Sequence, residues 1–150
     1  DYLKKLIKNI TGREVKTGFR KNKNAIFLTF HNKNFSNYLN KRLKFLYGKK
    51  KGMTIPIELL DKKYINNLLR GFFDTDGSIY FTKNNWKRKG RTYPIIEISS
   101  HNDNLLKQLL EILKNLEFKP ILSFYKDSIK LHGKYNVEKW MNEIGSSNPY

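Results

Sequence analysis

The chain has 150 residues, enough to bury a hydrophobic core, and its length alone suggests one domain. Thirty Lys and Arg against thirteen Asp and Glu give a net charge of +17, which indicates a polyanionic partner such as nucleic acid. The absence of cysteine excludes disulfides and thiolate metal sites, so any metal must bind oxygen or imidazole ligands.

Hydrophobic periodicity predicts two helices and a hairpin in the first part of the chain. Residues 2–10 place their apolar side chains on one helical face, and Gly12 is expected to end that helix. Residues 13–20 and 25–30 have the pattern of two strands joined by a polar turn. Asn34 is then expected to cap a second helix.

The second part of the chain continues the alternation of helices and hairpins. Asp61 is expected to cap an apolar helix that ends near residue 76. The elements predicted after it are strands at 78–83 and 92–99, a helix from Asn102 or Asp103 to about Leu116, strands at 120–126 and 128–132, and a helix at 136–144.

An internal repeat relates the two parts. The hairpin and helix around Ile26 align with the hairpin and helix around Ile129. We therefore interpret residues 1–60 as the back half of a first repeat, and residues 61–150 as a complete helix–strand–strand–helix–strand–strand–helix repeat. By this comparison the sequence begins inside its first repeat. Chance similarity between two helix–hairpin–helix segments is the alternative.

Two acids stand at an unusual end of the helix that follows Asp61. Asp74 and Asp76 lie at its C-terminal end, just before Gly77. The helix dipole disfavours negative charge there, so their presence indicates a bound cation or a capping role. An acid before Gly77 that only forms a turn is the structural alternative.

One face of the same helix is predicted to contact another helix. The residues at i, i+3, i+4 and i+7 include a glycine, which lets a second backbone approach closely. Leu69 and Phe73 would then face the core of their own unit. The predicted motif-helix interface consists of Leu68, Gly71, Phe72 and Thr75.

The segment LRGFFDTDG at residues 69–77 resembles the signature of the LAGLIDADG family of homing endonucleases. The upstream GKKKG and IP, the basic hairpin after the motif and the IGSSNP ending are also similar to the family pattern. The resemblance covers essentially the whole chain. It implies an α+β fold whose αββαββα units carry antiparallel, saddle-shaped sheets. Arg70 replaces a small residue of the signature and would face outward, where phosphate is a possible contact.

The resemblance implies a site-specific endonuclease of the intron-homing type that cleaves double-stranded DNA with Mg²⁺, which Mn²⁺ or Ca²⁺ can replace for binding. Asp76 aligns with the family's metal-binding acid and is expected to be catalytic, because in-line phosphodiester hydrolysis needs a cation held by oxygen ligands. Lys50 is the candidate for the family's lysine near the scissile phosphate. A second motif helix is expected from a missing N-terminal segment or a second chain, and the repeat favours the missing segment.

Outward strand positions and hairpin tips are expected to contact DNA, because a two-stranded ribbon fits the major groove. The predicted contacts on the first hairpin of the second repeat are Ser78, Tyr80, Thr82, Lys83, Trp86, Lys87, Arg88, Lys89 and Arg91. Those on its other hairpin are Ser123, Tyr125, Lys126, Lys130 and His132. Those in the first repeat are Lys16, Arg20, Lys21, Lys23 and Thr29.

Two other functions stay open. The first is a non-cleaving nucleic-acid-binding protein on the same scaffold, such as an intron RNA maturase or a DNA-binding regulator. The second is a basic RNA-associated structural protein in which DTDG is only a turn. Because the sequence has neither a transmembrane run nor a signal peptide, we expect an intracellular protein, in the cytoplasm or an organelle matrix, that is not secreted and has no membrane partner.

Overall fold

The computed structural model describes residues 2–20, 26–45, 52–82 and 92–148. The chain forms two compact units, Asp1–Tyr47 and Gly48–Tyr150. Ile55 is buried in the core of the second unit, where its N–H donates to Oε1 of Gln108 at 2.7 Å. The boundary at residue 60 was predicted from sequence similarity between two repeats. A division by compactness does not test it, so it stays a prediction.

In its described residues, the first unit contains two helical segments and a hairpin. Helix α1 spans Tyr2–Thr11, and strands β1 (Lys16–Phe19) and β2 (Ile26–Thr29) form an antiparallel pair. Helix α2 spans Lys33–Asn37 and continues as a π-helical turn over Tyr38–Arg42. The predicted order of these elements is confirmed, although each strand is shorter than its sequence pattern.

The predicted cap of α2 is wrong by two residues. Asn32 occupies the cap position, where its side-chain oxygen accepts from the N–H of Phe35 at 2.9 Å. Its amide also donates to the carbonyl of Thr11 at 3.1 Å, so one side chain joins the end of α1 to the start of α2. Asn34 lies inside the first turn of the helix. Local propensity does not separate two asparagines this close together, whereas the tertiary bond to Thr11 favours the earlier one.

The second unit is built on a four-stranded antiparallel sheet. Its strands are β3 (Gly77–Phe81), β4 (Pro94–Ser99), β5 (Pro120–Leu122) and β6 (Ser128–His132), in the spatial order β3-β4-β6-β5. β4 therefore pairs with a strand on each side. The sheet joins two hairpins that are separate in sequence.

Among the described residues of this unit, three α-helices accompany the sheet. Helix α3 spans Lys62–Asp76, α4 spans Asp103–Asn115 and α5 spans Gly133–Glu143. The order α3-β3-β4-α4-β5-β6-α5 confirms the predicted αββαββα unit. The last helix begins three residues before the predicted start at residue 136, because Gly133 enters it at φ 86 without a side-chain cap before it. Sequence rules that look for a capping side chain give no signal for such a start.

One face of the sheet forms the hydrophobic core with the helices. Ile96 pairs with Leu131, and Ile98 pairs with Ile129, so these four side chains alternate onto the same face. From the helices, Leu69 and Trp140 are fully buried in the same core. The residues at alternate positions of the same strands stand on the opposite face, which we call the outer face.

Helix α3 packs on this core along one side only. Asp61 caps it as predicted, accepting from the N–H of Lys63 at 2.8 Å. Ile65, Leu69 and Phe73 are its buried residues, and the ring of Phe73 lies 5.4 Å from that of Trp140. These contacts fix the rotation of α3 and hence the side chains that its other face exposes.

Candidate acidic helix end and nucleic-acid interface

The predicted interface face of α3 borders the core of its unit at Leu68 and Phe72, which pack against buried residues, and is open at Gly71 and Thr75. Leu68 and Phe72 are half-buried, while Gly71 and Thr75 are exposed. A Cβ atom added at Gly71 would meet no atom within 4 Å in the described residues. The sequence therefore predicted correctly which side of the helix faces the core. That the opposite side receives a second helix stays a prediction.

Asp76 is the last residue of α3, and its side chain is exposed. Its Oδ2 lies 3.2 Å from the hydroxyl of Thr75, which also lies 3.0 Å from the carbonyl of Gly71. Within the described ranges no Lys or Arg forms an ion pair with Asp76. Within those ranges the carboxylate thus stands at the unfavourable end of the helix dipole without an ion-pair partner to offset its charge.

Gly77 sets the junction at which helix passes directly into strand. It adopts extended backbone at φ −96, so positive φ is not what requires a glycine. A Cβ atom at this position would lie 2.5 Å from the carbonyl oxygen of Phe73, too close to fit. The missing side chain lets β3 begin immediately after Asp76, which holds that carboxylate at the base of the helix.

Asp74 has a different environment from Asp76. Its Oδ1 accepts from the hydroxyl of Ser146 at 2.6 Å, and its two oxygens lie 3.1 and 3.0 Å from the N–H of Ser147. Partial burial alone would raise the pKa of the Asp74 carboxyl, but these hydrogen bonds and the charge of Arg70 outweigh it and hold the pKa below its usual value. Asp74 therefore braces the segment after α5 against the motif helix.

Arg70 takes part in the same bracing. It is half-buried, and its Nε donates to the carbonyl of Ile144 at 2.6 Å. The expectation that Arg70 faces outward is thus wrong, because the guanidinium turns back onto the end of α5, while a contact with phosphate stays a prediction. The helix position alone could not indicate this, since the acceptor lies 74 residues away.

The donor chemistry of this helix end fits a hard divalent cation. Asp76 offers carboxylate oxygens, which Mg²⁺ prefers, and Mg²⁺ usually keeps several waters beside one or two protein carboxylates. In the part of the chain that the structure describes, no group of three His, Cys, Asp or Glu lies together. The Asp76 carboxylate therefore has the chemistry of one ligand for such a cation, and its role as a metal ligand stays a prediction.

The outer face of the sheet has an acid at its centre that sequence reasoning missed. Glu97 lies on β4 between Ser78 on β3 and Lys130 on β6. Its Oε2 accepts from the hydroxyl of Tyr80 at 2.7 Å, and its Oε1 accepts from that of Ser128 at 2.5 Å. The alternation IIEIS was the available signal, because an acid between two core isoleucines must stand on the opposite face.

Glu97, Tyr80, Ser128 and Lys130 together form a polar cluster. The ammonium of Lys130 lies 3.4 Å from Oε1 of Glu97. Burial alone would raise the pKa of Glu97, but its hydrogen bonds from Ser128 and Tyr80 and the charge of Lys130 lower it overall. Burial alone would lower the pKa of Lys130, and the Glu97 carboxylate raises it above its usual value. For Tyr80, burial and the Glu97 carboxylate raise the pKa. At neutral pH the cluster therefore holds one carboxylate, one ammonium and a neutral phenol.

The remaining predicted contacts of the second unit are exposed, half-buried or, for Ser123, part of a turn. Ser78, Tyr125 and Lys126 are exposed, and Tyr125 is 83% exposed beside an equally outward Phe124. Thr82 and His132 are half-buried. Burial, and to a lesser extent the charge of Lys130, lowers the pKa of His132. The hydroxyl of Ser123 closes the β5–β6 turn by donating to Asp127 at 2.7 Å.

In the first unit, Lys16 and Arg20 are exposed, and Thr29 is half-buried opposite Lys16 in the hairpin register. The other predicted contacts lie outside the described residues. These are Lys21, Lys23, Lys83, Trp86, Lys87, Arg88, Lys89 and Arg91, together with the candidate catalytic Lys50. The DNA contacts proposed for all of these residues stay predictions.

The αββαββα unit, with acids at the end of its first helix, defines a basic α+β protein of a recognisable class. The profile of the LAGLIDADG-like domain matches residues 63–140, about half of the chain, and the chain belongs to the LAGLIDADG family of homing endonucleases and maturases. The family generally binds DNA, and its nucleases generally use divalent metals. No curated protein matches the chain.

The family assignment confirms the resemblance that the motif indicated, and the αββαββα unit confirms the predicted fold class. The partial first repeat stays a prediction. Among the helices of the described residues, none combines the length and the apolar character that crossing a membrane would require.

Proposed function

We propose that this protein is a site-specific double-stranded DNA endonuclease of the homing type that depends on a divalent metal. The observation that supports this most is the position of Asp76. Its exposed carboxylate lies at the base of the motif helix, on the unit whose outer face offers polar and basic side chains. A binding module would need the outer face but would have no use for an acid at that helix end.

Three residues of this chain would have different roles at this site. Asp76 would bind a divalent cation, which when bound stabilises charge on the phosphodiester oxygens and lowers the pKa of a water. Asp74 would hold the helix end in place through Ser146 and Ser147. Lys50 is proposed to assist near the scissile phosphate, as the family resemblance implies.

A second motif helix is part of this proposal. One carboxylate gives a cation only part of its ligand set, and cutting both strands requires an acid at each scissile phosphate. The partly open face formed by Leu68, Gly71, Phe72 and Thr75 has the small and apolar side chains that a close helix pair needs. The second helix would come from another chain or from a further segment of the same polypeptide.

The DNA would lie against the outer face and the hairpins. A net charge of +17 favours a long polyanion, and a strand ribbon with alternate polar side chains fits the major groove. The predicted hairpin contacts would then divide between phosphate binding and base reading, and Ser123 would contribute by closing its turn.

The test is cleavage of a supercoiled plasmid library that carries a randomised 30-base-pair insert, with Mg²⁺, Mn²⁺ or EDTA. We expect Mg²⁺-dependent linear product enriched in one family of insert sequences. If the protein binds particular insert sequences but does not nick them in Mg²⁺ or Mn²⁺, this would contradict the endonuclease proposal and favour a non-cleaving binder. If the protein binds none of the inserts, this would contradict DNA binding itself.

A further inference from the structure

Glu97 is a carboxylate held at the middle of a face that also has basic, neutral polar and apolar side chains, with Ile121 of β5 opposite Lys130. It lies on β4, which has a neighbouring strand on each side. Donors reach it from both neighbours, Tyr80 from β3 and Ser128 and Lys130 from β6. The Glu97 side chain is only 20% exposed, so its carboxylate is held against the sheet and is not freely solvated.

The cluster changes what Lys130 can bind. Its ammonium lies 3.4 Å from the Glu97 carboxylate, while its side chain is still 31% exposed. An ammonium has three donors, and even with Glu97 and the Tyr80 hydroxyl beside it, one donor remains for a ligand. The neighbouring negative charge weakens attraction to phosphate, but it does not prevent hydrogen bonding to uncharged acceptors. The position therefore suits a base edge better than the DNA backbone.

From this geometry we infer that Glu97 is a specificity-determining positioning residue. It holds the Lys130 ammonium so that the remaining donor reads the O6 or N7 acceptor of a guanine in the major groove, and it keeps that ammonium from binding phosphate. Tyr80 and Ser128 fix the carboxylate in turn. This inference rests on the proposed DNA-binding function and deepens it by naming a base and the residues that read it.

The experiment compares Glu97→Gln with Glu111→Gln. Both substitutions remove one negative charge from a lysine-paired glutamate, but Glu111 lies on α4, where its exposed carboxylate pairs with Lys114 at 2.9 Å. Each variant is used to select bound duplexes from a randomised 30-base-pair library, and its affinity for one mixed-sequence duplex is measured at several salt concentrations. Circular dichroism and thermal unfolding check that the variants fold.

For Glu97→Gln we expect the loss of guanine preference at one target position, from about tenfold to near none. We also expect the salt dependence on the mixed-sequence duplex to steepen by about 0.9 in log–log slope, as one added phosphate contact requires. Lys130→Gln should lose the same guanine preference without the steeper slope, because it removes the ammonium itself. It also serves as the second variant if Glu97→Gln does not fold.

Two results would overturn the inference. If Glu97→Gln selects the same sequences as the parent and shows the salt slope of Glu111→Gln, Glu97 does not position Lys130. If Lys130→Gln keeps every base preference of the parent, Lys130 reads no base. A parent protein that binds no duplex at all would instead overturn the proposed function, and this inference with it.

Discussion

Ser146 donates a 2.6 Å hydrogen bond to the carboxylate of Asp74 and thereby joins the end of the motif helix to a segment 72 residues later. Asp76, two residues after Asp74, is exposed and has no such partner segment in the described residues. The two acids of the motif therefore have separate tasks. Asp74 stabilises the fold, and Asp76 is available to a ligand.

Asp74→Ala should lower the free energy of unfolding, because Ser146 and the N–H of Ser147 lose a charged acceptor. The expected loss is about 1–2 kcal/mol, below the full value for hydrogen bonds to a charged group because the site is partly exposed. Urea unfolding at pH 7 measures it. Asp76→Ala is the matched control and should leave the free energy unchanged or raise it, since it removes a charge that the helix dipole disfavours. Equal losses in the two variants would contradict the division of tasks.

The Asp74 carboxyl should also make stability depend on pH in the acid range. Its pKa in the folded protein lies below the ordinary value of 3.8. Its contribution is therefore fully present above that ordinary value, and it is lost as the pH falls through the folded pKa. The difference in unfolding free energy between the parent and Asp74→Asn should be constant from about pH 5 upward and should shrink below pH 3.8. A difference that grows on acidification would contradict this assignment.

The two glycines of the motif should respond in opposite ways to alanine. Gly71→Ala meets open space and gains helix propensity, so the free energy of unfolding should rise by up to about 1 kcal/mol. The same methyl group should weaken Mg²⁺-dependent cleavage if a second helix packs closely on that face. Gly77→Ala would clash with Phe73 and should cost about 1–3 kcal/mol. Thermal unfolding and plasmid cleavage separate the two effects, and a destabilising Gly71→Ala would indicate that this face is already covered.

Two neighbouring leucines test the rotation of α3. Leu69 is fully buried, so Leu69→Ala should lower the free energy of unfolding by about 2–5 kcal/mol. Leu68 is half-buried at the edge of the same core, and Leu68→Ala should cost clearly less. Urea unfolding of both variants decides the matter, and a larger loss for Leu68→Ala would mean that the helix is rotated from the orientation described.

Local signals in the sequence predicted most of the fold. Asp61 caps α3 and Gly12 ends α1 at φ 64, because each of these positions depends on one residue and its immediate backbone. The motif residues indicated the family, and the spacing of Leu69 and Phe73 indicated the buried side of α3. These features need no knowledge of what lies far along the chain.

Apart from the start of α5, the errors and the missed acid concern residues whose partners are distant in sequence. Asn32 and not Asn34 caps α2, because Asn32 also bonds to Thr11. Arg70 points inward because its guanidinium donates to the carbonyl of Ile144. Glu97 gains its role from strands on both sides, which only the sheet order brings together. Helical or strand periodicity states which face a residue occupies, but it does not state which groups meet it there.

The central claim is that Asp76 serves a reaction and not only a helix end. The most direct measurement compares Asp76→Asn with the parent for duplex affinity and for Mg²⁺-dependent nicking of DNA that the parent selects. Asp103→Asn, which removes an equal charge at the start of α4, is the control. We expect Asp76→Asn to keep the affinity within about twofold and to lose nicking by about a hundredfold or more, as the loss of several kcal/mol of transition-state stabilisation implies. Nicking by Asp76→Asn at the rate of the parent would contradict the claim.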